Sequence, residues 1–195
     1  GVNVFIVNIC MKMYFELEDE QLAQIVTETK QYLRRHRSLL ESKFFWNQID
    51  TKDFLLESTT LIDYCLTKNL IIREVAMLVV QNRYTVPLHI DHGPVVAKIN
   101  FPIQNCLGTR TEWYNMSEQQ LAECNNHKNQ FGVEQKSLAS IDVSRLTLLD
   151  SIEMKVPTVF NSTVPHRVVC DDSAKFPRVV LSCMFQREPT QYLED

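Results

Sequence analysis

From Ile71 onward the chain is written as short apolar, partly β-branched runs: Ile71 to Val80, Val95 to Phe101, Val164 to Val169 and Val179 to Phe185. Runs of this length and composition, parted by polar stretches, predict strands, and the second half is expected to be mostly antiparallel β-structure. The front of the chain differs in kind. Between Glu18 and about Ser42 the residues Leu22, Ile25, Val26, Leu33, Leu39 and Leu40 recur at roughly helical spacing among charges, which predicts one amphipathic helix. Lys52 to Leu66 predicts a second, with Phe54, Leu55, Leu61, Ile62 and Cys65 on a shared face and Asn69 ending it. An edge strand is expected at Val2 to Ile9. The stretch from Ser117 to Ser144 is polar and rich in Asn and Gln, so an insertion or long loop between strands is expected there. The fold class is α+β: one domain over 1–195, with 1–70 mainly helical support, 71–186 the β core and the insertion near 117–144.

Composition narrows the function classes. A chain of 195 residues with 45% hydrophobic and 23% charged residues can bury one sizeable core. Its 20 Lys plus Arg against 24 Asp plus Glu leave a net charge of -4, which does not favour a nucleic acid as partner. The dense basic run Tyr32-Leu33-Arg34-Arg35-His36-Arg37 lies between Glu28 and Glu41 and reads as a solvated helix face. With only 4 Gly, neither a GxGxxG fingerprint nor a Walker-type phosphate loop can be assembled. The 6 cysteines form no CxxC pair and read as reduced thiols, and the longest apolar runs fall short of a membrane span. A cytoplasmic protein with no membrane partner is expected.

Two histidines sit in strand-like settings beside informative neighbours. In Pro87-Leu88-His89-Ile90-Asp91-His92-Gly93, His89 and Asp91 are two apart, so an extended chain sends both side chains to one face, and His92 to the other. Far downstream, Val164-Pro165-His166-Arg167-Val168 supplies a third candidate ligand at the start of another strand. Two imidazoles and one carboxylate make a facial triad, a set that Fe(II) tolerates and that leaves positions open for substrate and dioxygen. An HxD triplet is common by chance, and its plain alternative is a pair of polar residues at a strand end. In Phe176-Pro177-Arg178-Val179-Val180-Leu181-Ser182, Arg178, Val180 and Ser182 share one face and Val179, Leu181 and Cys183 the other. An inward Arg followed by a Ser suits a buried carboxylate, with the guanidinium as a bidentate fork and the hydroxyl as a further donor. The alternative is an edge Arg paired with Asp171 or Asp172.

These segments, with Ile99-Asn100-Phe101-Pro102-Ile103-Gln104-Asn105-Cys106, Thr109, Thr111, Tyr114 and Phe160-Asn161, give the chain its likeness to a known family. From about Pro87 to Phe185 it resembles the 2-oxoglutarate and Fe(II)-dependent dioxygenases, in the small branch related to prolyl and aspartyl/asparaginyl hydroxylases. The resemblance implies a double-stranded β-helix, the jelly-roll or cupin-like barrel, with supporting helices outside. It implies that His89, Asp91 and His166 bind iron. Arg178 and Ser182 would hold the far carboxylate of the cosubstrate 2-oxoglutarate, and Asn100 or Lys98 would line the site. Tyr114 would donate its hydroxyl to the cosubstrate. The expected reaction consumes dioxygen and 2-oxoglutarate and hydroxylates an amino-acid residue or a small molecule. Where the family often carries Asn shortly after the distal His, this chain reads Val169-Cys170-Asp171. Two other readings stay open: a cupin-type metalloenzyme that does not use 2-oxoglutarate, and a catalytically inactive barrel acting as a binding protein.

Overall fold

The computed structural model describes residues 11–83, 86–91, 95–128 and 134–194. The strand expected at Val2 to Ile9 and the residue His92 lie outside the described residues. The strands are β1 (Tyr14–Glu16), β2 (Trp46–Gln48), β3 (Ile71–Val80), β4 (Val86–His89), β5 (Ala97–Gln104) and β6 (Thr109–Asn115). They continue as β7 (Asn126–Lys128), β8 (Glu134–Lys136), β9 (Thr147–Ile152), β10 (Thr158–Asn161), β11 (His166–Cys170) and β12 (Arg178–Arg187). The helices are α1 (Gln21–Arg35), α2 (Thr51–Glu57), α3 (Thr59–Thr67) and α4 (Glu118–Ala122).

Leu22, Ile25, Thr29, Tyr32 and Leu33 form the buried stripe of α1, and Arg34 and Arg35 in its last turn complement the negative end of the helix dipole. The helix is shorter than the expected span to Ser42. The His36 ring stacks on Tyr32 at 3.9 Å, its backbone N–H donates to the Tyr32 carbonyl, and the chain continues as a 3-10 helix over Arg37–Glu41. The second expected helix is divided into α2 and α3 at Ser58, whose φ of -122° is not helical. Ser58 Oγ donates to Glu28 Oε2 at 3.1 Å and Thr60 Oγ1 to Glu28 Oε1 at 2.6 Å, so a carboxylate on α1 holds the break. Asn69, with φ of 56°, takes the left-handed turn that follows α3.

Ten of these strands form two antiparallel sheets, β1-β10-β5-β12-β3-β2 and β4-β11-β6-β9. Without the flanking β1 and β2, the eight remaining strands are divided between the sheets in the jelly-roll order, first-eighth-third-sixth against second-seventh-fourth-fifth. The strand period of two then sorts the large sheet into faces. Val75, Met77, Val79, Ile99, Phe101, Val179, Leu181 and Phe185 pack with Ile25, Phe54 and Leu61 of the helices in one core. Each such side chain taken fully out of water contributes about 1.5–3 kcal/mol. The residues between them, among them Leu78, Lys98, Asn100, Arg178 and Val180, face the small sheet and line a cleft between the two. β1 and β2, from the segment expected to be mainly helical support, join the large sheet.

The polar segment 117–144 holds more structure than a loop. Ser117 and Gln120 close a capping box on α4, and β7 pairs with β8. Cys124 and Leu138 pack there with Leu88 and Tyr114. No helix among the described residues is long and apolar enough to cross a membrane.

Candidate active site

The site begins with a register. His166, the first residue of β11, lies directly opposite His89, the last residue of β4, and opposite residues on antiparallel neighbours project to the same face. Their rings stand 4.3 Å apart between centroids. Asp91 follows just past the end of β4 and brings Oδ1 to 3.6 Å from His89 Nε2 and 3.8 Å from His166 Nε2. A ligand atom from each of the three lies within 4.8 Å of the others, so the set read from HxD and the distal His is brought together.

Both rings are oriented by backbone. His89 Nδ1 donates to the Pro87 carbonyl and His166 Nδ1 to the Val164 carbonyl, each at 2.8 Å. A carbonyl only accepts, so the proton sits on Nδ1, and the neutral ring turns a bare Nε2 lone pair toward Asp91 Oδ1. Burial, with the neighbouring His89, pushes His166 down to about 3, against the pull of Asp91. Burial also lowers His89. Burial opposes charge on Asp91, but the Lys98 ammonium beside it and its hydrogen bond outweigh burial and hold the carboxyl well below its ordinary range. Two neutral imidazoles and an ionised carboxylate therefore aim lone pairs at one point, an arrangement that calls for a cation. The donor set, two N and one O, fits a divalent iron.

His166 is walled by aromatic rings, Phe160 edge-on at 4.9 Å and Trp113 at 6.5 Å. Trp113 is fixed through Nε1, which donates to the Asn161 carbonyl at 3.1 Å. The cleft is lined by His89, Asp91 and His166, by Lys98, Asn100, Thr111 and Arg178, and by Phe45, Trp46, Met154 and other apolar side chains around them.

Arg178 is 3% exposed, and no carboxylate pairs with it among the described residues. Its Nε donates to Thr109 Oγ1 at 2.9 Å, and that hydroxyl donates onward to the Cys106 carbonyl at 2.7 Å. Thr109 follows Gly108, whose φ of +75° brings the chain so near the 171–174 turn that a Cβ would lie 2.6 Å from Ser173 Oγ and 2.7 Å from Ala174 N. Asp172, one of the partners that an edge Arg would have used, instead binds Arg83 at 2.7 Å. Asn100 and Ser182 are opposite one another on β5 and β12, and Asn100 Oδ1 and Ser182 Oγ are both buried with no hydrogen-bond partner. Only Asn100 of the two borders the cleft.

Tyr114 lies elsewhere. Its hydroxyl donates to Glu112 Oε2, and its ring packs against Leu88, Cys124 and Leu138 under the 117–144 segment, away from the cleft. The expectation that it donates to a cosubstrate is corrected on that ground: Glu112 has taken the hydroxyl. No local pattern announces the place of Trp113 beside His166, since the pairing of β6 with β11 sets it there.

No protein-family model matches the chain, and no curated protein matches it in sequence. Among solved structures it is similar to AviO1 from Streptomyces viridochromogenes Tue57, at a TM-score of 0.50 and 8% identity over 92% of this chain and 91% of that one. It is likewise similar to SnoN, the non-heme alpha ketoglutarate dependent epimerase of nogalamycin biosynthesis, at a TM-score of 0.50 and 12% identity over 92% of this chain and 82% of that one. The likeness is one of fold, and it extends over nearly the whole chain.

Proposed function

We propose that this chain is a non-haem Fe(II), 2-oxoglutarate-dependent dioxygenase that hydroxylates an amino-acid residue or a small molecule. The observation that carries the reading is Arg178. A guanidinium out of water without an anion is costly, and this one borders the same cleft as the three metal ligands. A dicarboxylate chelating the metal at one end and meeting Arg178 at the other would answer both needs. The fold shared with an alpha ketoglutarate dependent enzyme supports the same reading.

In this reading His89, Asp91 and His166 hold the iron, and their Nδ1 bonds and the β4–β11 register keep them in place before it arrives. Iron bound with 2-oxoglutarate supplies the activation of dioxygen that no side chain can. Arg178, oriented by Thr109, binds the far carboxylate, and the unpartnered Asn100 Oδ1 offers a polar contact in the same cleft, with Ser182 opposite it on β12. Phe160, Trp113, Met154 and Val180 exclude water around the reacting centre. Cys65, Cys106, Cys170 and Cys183 are free thiols, and a cytoplasmic setting is part of this proposal.

Anaerobic addition of Fe(II) and 2-oxoglutarate to the purified chain is expected to give the weak visible charge-transfer band of a chelated oxoacid, lost in His166→Ala. Iron uptake without the band would favour the cupin-type metalloenzyme, and no uptake the inactive barrel.

A further inference from the structure

Lys98 belongs to neither the metal ligands nor the anion-binding arginine, yet it touches the ligand set directly. It rises from β5 on the large sheet, is 4% exposed, and crosses the cleft so that its ammonium donates to Asp91 Oδ2. The same ammonium stands 5.0 Å from the Phe160 ring centroid. The two oxygens of Asp91 are thereby divided. Oδ2 belongs to Lys98, while Oδ1 is the oxygen facing both imidazole Nε2 atoms, at 3.6 and 3.8 Å.

We infer that Lys98 is a positioning residue that makes Asp91 a one-oxygen ligand, keeping Oδ2 off the metal so that only Oδ1 coordinates. This rests on the metal reading above. A carboxylate that chelates through both oxygens fills two coordination positions, and one held back by a donor fills one, which leaves more of the metal open to other ligands. A plain structural ion pair does not account for the arrangement. Desolvation offsets much of what a buried pair gains, and pairing alone does not require the second oxygen to face two imidazoles. A lysine ammonium is suited to the task because it is a compact point charge, whereas an arginine fork grips both oxygens at once.

The test uses the whole chain labelled with 13C-aspartate, loaded with cobalt(II) or zinc(II), and read by infrared difference spectroscopy. The wild type is expected to show the wide separation of carboxylate stretches that marks a one-oxygen ligand, and Lys98→Met the narrow separation of a chelating one. Cobalt binding in Lys98→Met is expected to weaken about 10- to 100-fold. In the zinc-loaded wild type, the Lys98 ammonium protons should remain slow to exchange and scalar-coupled to the Asp91 carboxyl carbon by NMR, a measurement that needs no variant. A wild type that binds cobalt with a chelating Asp91, a zinc form in which Lys98 has left Asp91, or an unchanged Lys98→Met spectrum overturns the inference and leaves the metal reading intact. A wild type that takes up neither metal overturns both.

Discussion

At the scale of single residues, the cleft separates two tasks that substitutions can tell apart. Asp91 carries the only negative charge of the ligand set, and its removal leaves two neutral imidazoles aimed at one point. Asp91→Ala is expected to abolish iron retention and with it 2-oxoglutarate decarboxylation, measured by metal analysis and carbon dioxide release. Arg178→Ala leaves the His89, Asp91 and His166 cluster whole and removes the charge that, in the proposed function, meets the far carboxylate. Metal content should be kept, while the 2-oxoglutarate requirement rises about 30-fold or more, the equivalent of about 2 kcal/mol for a lost buried charge partner. An Asp91→Ala protein with undiminished iron and turnover would sink the assignment. The clustering of His89, Asp91 and His166 was legible because each lies in a short local pattern, and an extended chain fixes the face of each. Lys98 was legible only as a lining residue, since its bond to Asp91 depends on a long stem reaching between sheets. Tyr114 misled because a tyrosine in a strand does not declare which face its neighbours make polar, and Glu112, two residues before it, claims the hydroxyl.

At the scale of elements, the outer face of the small sheet depends on a polar knot. Glu112 on β6 is buried, and it accepts from Arg167 Nε on β11 at 2.8 Å, from Arg110 Nε at 2.9 Å and from the Tyr114 hydroxyl. Burial raises its carboxyl, but the Tyr114, Arg167 and Arg110 bonds outweigh burial and hold it below the ordinary value. A depressed folded-state pKa gives stability that is fully present above the unfolded carboxylate pKa and is lost as pH falls through the folded one. Glu112→Gln should therefore be less stable near neutrality and show a flatter loss of stability on acidification through the carboxylate range, checked by urea midpoints at a series of pH values. The elements themselves were unevenly legible. Ile71–Val80 was read to the residue because eight of its ten residues are apolar, and β5 ran on past Phe101 because Pro102 sits where the pairing with β12 shifts register. β9 was missed, since five of its six residues are exposed and show no alternation. The break at Ser58 was hidden because it is held from α1, by Glu28.

At the scale of the whole molecule, the proposed metal binding would be linked to folding. His89, Asp91 and His166 come from β4, the turn after it and β11, and they converge only when the small sheet is formed, so a metal held by the native chain and not by the unfolded one would stabilise the fold. Cobalt at about 100 times its Kd should add about 2.7 kcal/mol, seen as a rise in Tm that His166→Ala abolishes. The jelly-roll plan itself could not be read from the chain without the family resemblance, because strand order is a property of pairing between segments far apart in sequence.

The two sheets also divide the labour of the cleft: the imidazoles stand on the small sheet, and Lys98, Asn100 and Arg178 on the large one. They are in effect the two jaws of a clamp, and the Lys98–Asp91 bond is the pin already joining them. A ligand that reached from metal to arginine would be a strut between the jaws, bearing on both at once. Its arrival would be felt as stiffness across the gap, with amide exchange slowed in β4, β11 and β12 together, while metal alone would quieten only the small-sheet jaw and the turn pinned to it.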